Sequence, residues 1–338
     1  MSFDKFKQIC VFGAGAVGGT LAARLAAAPS LQGARISVVA RGAHLEAIRA
    51  KGLRLAAAGE APIVARVAAS ADPAELGPQD LVISALKGHQ LPAAASAFAP
   101  LLKPSTRVLI IQNGIPFWYF HGDVPLLLRD RRLPELDPGD ALWKALGPDR
   151  VLGGVVYQPA EIAAPGEVLA TGPGRLIIGE PSGAMTDDVE AAAGLIEKAG
   201  WAAVRSLRIR DEIWRKLIGN AAFNPISALT RATLAAMVED PPTVAVIKGV
   251  MNEVIAVARG VGARVEETAE SRIAVTRGLG IVRSSMLQDL LAGRPLELTP
   301  LVRAVSLLGE SVGVETPTLN TIYALTRLLD EQLRATAA

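Results

Sequence analysis

The sequence predicts two halves: an α/β half built as a doubly wound parallel sheet, followed by an all-α half. Three observations predict it. Short apolar runs alternate with helical patterns as far as Ser206. From about Arg208 the strand signal stops and only helical periodicity continues. The chain has 338 residues, more than one typical domain holds.

The elements follow in order. Ile9-Cys10-Val11-Phe12 is a short, solidly apolar strand. It runs into Gly13-Ala14-Gly15-Ala16-Val17-Gly18, and then an Ala/Leu-rich helix extends to about Ala28. "RISVVA" at 35–40 is a second strand. "DLVISAL" at 80–86 and "RVLIIQ" at 107–112 are buried strands, with a helix over 91–102 between them. Strands that alternate with helices imply a parallel sheet. "RVLGGVVYQ", "GEVLAT" and "GRLIIGE" complete or flank that sheet. A helix at 186–199 and a strand at 202–206 follow. Helical periodicity then covers 211–224, 241–260, 266–278, 283–293, 297–312 and 318–334, punctuated by Pro225, Pro241-Pro242, Pro295 and Pro317. The expected domains are residues 1–206 and 207–338. With no repeat and no low-complexity linker, the halves are expected to leave a cleft where a ligand would sit.

Composition excludes several classes. Hydrophobic residues make up 50% and charged residues 20%, which suits a large core and argues against disorder. The net charge is +2 and no basic stripe appears, so no nucleic-acid partner is expected. Cys10 is the only cysteine, so no intrachain disulfide can form and a reduced, cytoplasmic setting is expected. The apolar run before the glycines is too short for a signal peptide. No run of about 18 apolar residues appears, so no membrane helix is expected. His44, His89 and His121 are the only histidines, which argues against a zinc site or a histidine-based triad.

Gly13, Gly15 and Gly18 match G-x-G-x-x-G, with a strand before and a helix after. The first glycine permits a tight turn, the second lets backbone approach a pyrophosphate, and the third allows close helix–strand packing. The helix N-terminus favours the anion. This is the Rossmann-type dinucleotide loop; a plain βα turn is the alternative. An acidic residue after the second strand would bind the ribose hydroxyls of NAD. Here Arg41 stands there, in "VVAR". A guanidinium pairs with a 2′-phosphate, so NADPH is expected over NADH; a solvated loop arginine is the alternative. Lys87 and Asn113 close the next two strands, at the carboxyl ends where open α/β sheets bind ligands. A surface lysine and a simple turn asparagine, followed by Gly114, are the plainer readings.

In "DEIWRKLIGNAAFNPISALT" at 211–230, Lys216, Asn220 and Asn224 fall on one face of a mostly apolar helix. A snorkelling lysine would explain the first. "RSSMLQDLLAGRPLEL" places Ser284, Ser285 and Asp289 at a helix start and Glu297 after Pro295. Either serine can be a helix N-cap.

Together these residues resemble the ketopantoate reductase family, the NADPH-dependent 2-dehydropantoate 2-reductases. The resemblance covers most of the chain. It rests on the glycine loop with Arg41, "LK" at 86–87, "QNG" at 112–114, "KxxxNxxxNP" at 216–225, and "SSMLQD" followed by Glu297. It implies that Lys216 is the general acid on the substrate ketone and that Glu297 positions substrate and lysine. It implies that Asn113, Asn220, Asn224 and Ser285 bind substrate. The cofactor-binding set it implies is Gly13, Ala14, Gly15, Ala16, Val17, Gly18, Arg41, Lys87 and Asn113. The expected partner is a small 2-keto acid, with ketopantoate leading; no membrane partner is expected, and a homodimer is left open.

Two features depart from the family pattern. Glu297 is followed by Leu298-Thr299-Pro300-Leu301, where shorter members carry an aspartate and an Asn-Gly pair; Pro300 is expected to alter the start of that helix. The segment between Asn113 and Val151 is long and holds Phe117-Trp118-Tyr119-Phe120. This cluster is a lid, a pocket wall, a subunit interface or a satellite core. The rival functions are a reductase of another 2-keto acid, a non-catalytic NADPH sensor and a β-hydroxyacid dehydrogenase.

Overall fold

A computed structural model describes residues 5–337, with side chains as far as residue 335. Residues 1–4 and 338, the outer ends of the two expected domains, lie outside the described residues. The chain divides into two compact units. The first takes in the residues up to Gln112, Phe117–Asp123 and Arg129–Ile209; the second takes in Asn113–Pro116, Val124–Leu128 and the residues from Arg210 on.

The first unit holds every strand among the described residues. Its elements are β1 (Gln8–Phe12), α1 (Ala16–Ala27), β2 (Arg35–Val39), α2 (Gly42–Lys51), β3 (Leu53–Ala57), β4 (Ile63–Ala65), β5 (Ala68–Ser70), β6 (Leu81–Ser84), β7 (Arg107–Ile110), α3 (Ala141–Leu146), β8 (Val151–Tyr157), β9 (Ala160–Ala164), β10 (Glu167–Ala170), β11 (Arg175–Gly179), α4 (Asp187–Lys198) and β12 (Ala202–Arg205). Eight strands form one sheet in the order β12-β11-β8-β7-β6-β1-β2-β5. All neighbours pair parallel except β8 with β11. β1 is central: Val11 stands opposite Val38 on one side and Ile83 on the other. A strand buried on both faces needs continuous apolar sequence, and Ile9 to Phe12 supplies it. Ile9, Val11, Leu21, Leu25, Leu81 and Ile83 join one core.

Two expectations need correction, and a third, left open, is narrowed. "GEVLAT" becomes β10 but leaves the main sheet; it pairs with β3 and β9 in a second sheet of order β4-β3-β10-β9. The expected helix over 91–102 is a 3-10 helix, Pro92–Leu101. Pro100 lies inside it and cannot donate a backbone hydrogen bond. Of the alternatives left open for the aromatic run, its burial favours a satellite core of the first unit. Phe117, Trp118, Tyr119 and Phe120 are all buried. Phe117 packs edge-on to Trp143, with ring centroids 6.4 Å apart. His121 secures the insertion by bonding Asp130 through Nδ1 at 2.8 Å and Asp149 through Nε2 at 3.1 Å.

The second unit is helical among its described residues. α5 (Ile209–Thr230) begins at the last residue of the first unit, and α6 (Leu234–Glu239), α7 (Pro241–Gly260), α8 (Ala269–Arg277), α9 (Ser285–Leu291), α10 (Ala304–Val312) and α11 (Pro317–Ala337) follow. The helix expected to stop at Asn224 runs through Pro225 to Thr230. The proline removes one helical hydrogen bond, at a cost of about 3 kcal/mol. Burial of Ile226 and Ala228 beyond it continues the apolar face and offsets that cost. α7 is apolar and long enough to cross a membrane by composition. Its buried face, Ile247, Val250, Met251, Val254 and Val257, is instead core of this unit. Glu253 on α7 accepts from the Thr318 and Leu319 N–H groups at 2.9 and 2.8 Å, capping α11.

Candidate active site

The glycine loop sits between β1 and α1 in the first unit. Gly13 has φ +101°, a left-handed region that favours glycine. Its N–H and that of Ala14 both donate to the Val39 carbonyl, at 3.1 and 3.3 Å. At Gly18 a Cβ would strike the Gly13 carbonyl oxygen, whereas at Gly15 a Cβ would meet open space. Gly13 and Gly18 are therefore required by the fold, and Gly15 leaves room for a ligand. Gly15 is the N-cap of α1 and makes no side-chain cap, and the first turn, which includes Ala16 and Val17, holds no acidic residue. Free N–H groups and the helix dipole there favour an anion. These observations fit a dinucleotide diphosphate.

Arg41 is the N-cap of α2, directly after β2. It is exposed, and its guanidinium has no partner among the described residues. Gly42, with φ +57°, has open space where a Cβ would be. Lys87 follows β6 and is half-buried; its N–H donates to the Gln90 side chain at 3.2 Å.

Asn113 follows β7 in sequence but belongs to the second unit. Its Oδ1 is buried without a hydrogen-bond partner among the described residues. At Gly114, with φ +78°, a Cβ would strike the Pro300 backbone, and the Ile115 N–H donates to the Pro300 carbonyl at 2.9 Å. The expected disturbance at Pro300 is present: Thr299–Arg303 is a π-helical turn that leads into α10.

α5 places Lys216, Asn220 and Asn224 on one face. Burial lowers the Lys216 pKa to about 8, and the charge of Glu297 opposes that fall. Glu297 itself is only 6% exposed. Asn224, 5% exposed, donates from Nδ2 to Ser285 Oγ at 3.4 Å. Asn220 is half-buried, with no side-chain partner among the described residues. Of the two serines, Ser284 is the N-cap of α9; its Oγ accepts from the Leu287 N–H at 3.1 Å. It also shares a hydrogen bond with Ser227, which donates to the Asn224 carbonyl at 2.9 Å. Ser285 remains exposed. Asp289 is buried and bonds Arg294 at 3.0 Å. The second unit thus joins a desolvated ammonium to a buried carboxylate, with neutral amides along the same helix. That set can donate a proton to an oxygen and orient a small polar molecule.

The sequence, read residue by residue, shows the glycine loop and the α5 face. Two models of the ketopantoate reductase PanE/ApbA family match the chain, the first over residues 9–131 and the C-terminal one over 208–330. The chain belongs to the ketopantoate reductase family. A 2-dehydropantoate 2-reductase of Mesorhizobium japonicum is 48% identical over 322 residues, covering 95% of this chain and 97% of the relative. A solved structure assigned as a ketopantoate reductase, from Ralstonia solanacearum MolK2, is 41% identical with a TM-score of 0.89, covering 95% and 97% of the two chains. A 2-dehydropantoate 2-reductase structure from Geobacter metallireducens is 26% identical with a TM-score of 0.83, covering 95% and 99%. In this ketopantoate reductase family member, sequence reasoning missed three structural supports. Gly19 leaves room for Val168 of β10. Gly219 leaves room for the Arg272 guanidinium, which would lie 2.8 Å from a Cβ. His44 bonds the glycine loop. Glycines read as helix residues, and a histidine whose partners are distant in sequence, carry no local signal.

Proposed function

We propose that this chain reduces 2-dehydropantoate to pantoate with NADPH, a step of pantothenate biosynthesis, in the cytoplasm. One observation carries the reading: Lys216, with its pKa lowered to about 8 and the charge of Glu297 opposing the fall, stands on the helix that also presents Asn220 and Asn224. The 48% identical relative bears the name of this reaction. When bound, NADPH supplies the hydride that reduces the carbonyl carbon. Its diphosphate would be held by the glycine loop, Gly13 to Gly18, and its 2′-phosphate by Arg41, with Lys87 and Asn113 nearby in function.

The chain's own residues handle charge. Negative charge grows on the ketone oxygen as the carbon is reduced. The Lys216 ammonium stabilises that charge and passes its proton to the oxygen. A pKa near neutrality lets the lysine both give up the proton and regain it from water. Glu297 keeps enough of it charged. Asn113, Asn220, Asn224 and Ser285 orient the carboxylate and hydroxyl groups without adding charge. The buried, unpartnered Asn113 Oδ1 supports a ligand role, because a buried polar atom left unpaired is costly.

The test is NADPH oxidation against ketopantoate and a panel of other 2-keto acids. A strong preference for ketopantoate is expected. Preference for another 2-keto acid would move the assignment to a paralogous reductase, and silence toward all of them would remove the reductase reading.

A further inference from the structure

His44 lies in the first turn of α2, three residues after Arg41, and takes no part in the chemistry above. Its ring makes two hydrogen bonds to backbone far away in sequence. Nδ1 accepts from the Gly166 N–H at 2.9 Å. An Nδ1 that accepts leaves Nε2 to carry the proton in the neutral ring, so Nε2 donates to the Ala14 carbonyl at 2.8 Å. Gly166 forms the turn between β9 and β10 at φ +77°, and a Cβ there would crowd Ala47 on α2. The ring is therefore held from one side by the small sheet and reaches the glycine loop from the other.

The consequence falls on one peptide plane. In a trans peptide the C=O and the following N–H point in opposite directions. Fixing the Ala14 carbonyl on His44 thus aims the Gly15 N–H away from α2. The N–H groups of Gly13 and Ala14 are already taken by the Val39 carbonyl. Gly15 makes no such bond among the described residues, and the space beside its Cα is open. Its N–H is a loop donor left for an anion, beside the free N–H groups of the first turn of α1.

We propose that His44 is a positioning residue for the dinucleotide diphosphate, setting the Ala14–Gly15 peptide so that the Gly15 N–H meets a phosphate oxygen. This rests on the NADPH reading above. Through α2, the residue that reads the 2′-phosphate and the residue that sets the diphosphate donor are held three positions apart.

The test uses the full chain with His44→Phe, which keeps a ring but removes both hydrogen bonds, and His44→Gln, which keeps one donor and one acceptor. Binding is measured by fluorescence titration of NADPH and by calorimetry of adenosine 2′-phosphate, which lacks the diphosphate. His44→Phe should weaken NADPH about three- to tenfold, the loss of one ordinary hydrogen bond. It should leave adenosine 2′-phosphate affinity and kcat at saturating NADPH unchanged. His44→Gln should recover most of the loss. Equal weakening of both ligands, or no difference between the Phe and Gln variants, would overturn the proposal. If His44→Phe does not fold, His44→Asn, too short to reach both partners, should fall below Gln in NADPH affinity; parity between them overturns it equally. Wild-type protein that fails to bind NADPH would remove the underlying reading, and the proposal with it.

Discussion

Burial strips water from the Lys216 ammonium and lowers its pKa to about 8, while the charge of Glu297 resists the fall. The proton donor proposed above must be protonated to act, so kcat/KM for reduction should decline as pH rises through about 8. The reverse oxidation needs the neutral amine and should rise across the same window. Glu297→Gln removes the influence that raises the pKa, so the declining limb should move to lower pH. A pH–rate profile of wild type and variant checks the sign; a limb that stays put would show that Glu297 does not tune the lysine. Lys216→Ala should lower kcat about 10²- to 10⁴-fold and leave NADPH affinity near wild type, as read by single-turnover rates and fluorescence titration. The alignment of Lys216 with Asn220 and Asn224 was legible because helical spacing is local. The carboxylate that tunes Lys216 was not legible from spacing, since Glu297 reaches it only through tertiary packing.

The same division between local and distant information holds for the elements. β1, β2, β6 and β7 are buried on both faces and announce themselves as apolar runs. β3 alternates buried Leu53 and Leu55 with exposed Arg54 and Ala56, and β5 is Ala68-Ala69-Ser70, with no β-branched residue to mark it. α5 reads as ending at Pro225 because local propensity disfavours proline, yet the buried face beyond it prevails. The turn at Asn113 shows how an element is set from outside. Gly114 has φ +78°, and a Cβ there would strike the Pro300 backbone. Gly114→Ala adds left-handed strain of about 1–2 kcal/mol and a steric conflict that must shift the turn. The expected result is a lower melting temperature and a raised KM for the 2-keto acid, because Asn113 moves with the turn. NADPH affinity unchanged within twofold would separate this from general unfolding; an unchanged KM would remove Asn113 from the substrate set.

At the scale of the molecule, the residues proposed for nucleotide selection and those proposed for proton transfer fall in different compact units. The glycine loop, Arg41 and His44 lie in the first; Lys216, Glu297, Asn220 and Asn224 lie in the second. Arg41 has no hydrogen-bonding or ionic partner among the described residues, and Glu297 belongs to the other unit. Arg41→Ala should lower the preference for NADPH over NADH about ten- to a hundredfold, the loss of one hydrogen bond to a charged group, while leaving the pH limb of Lys216 in place. Substitutions without shared partners usually combine within about 0.3–0.5 kcal/mol of additivity. The Arg41→Ala, Glu297→Gln double variant should therefore show a kcat/KM loss close to the product of the two single losses, measured with NADPH at saturating 2-keto acid. A combined loss much smaller or larger than that product would mean that occupancy of the 2′-phosphate site alters the protonation of Lys216. The bound cofactor would then couple the two units energetically, and the assignment of separate tasks to each would have to be given up.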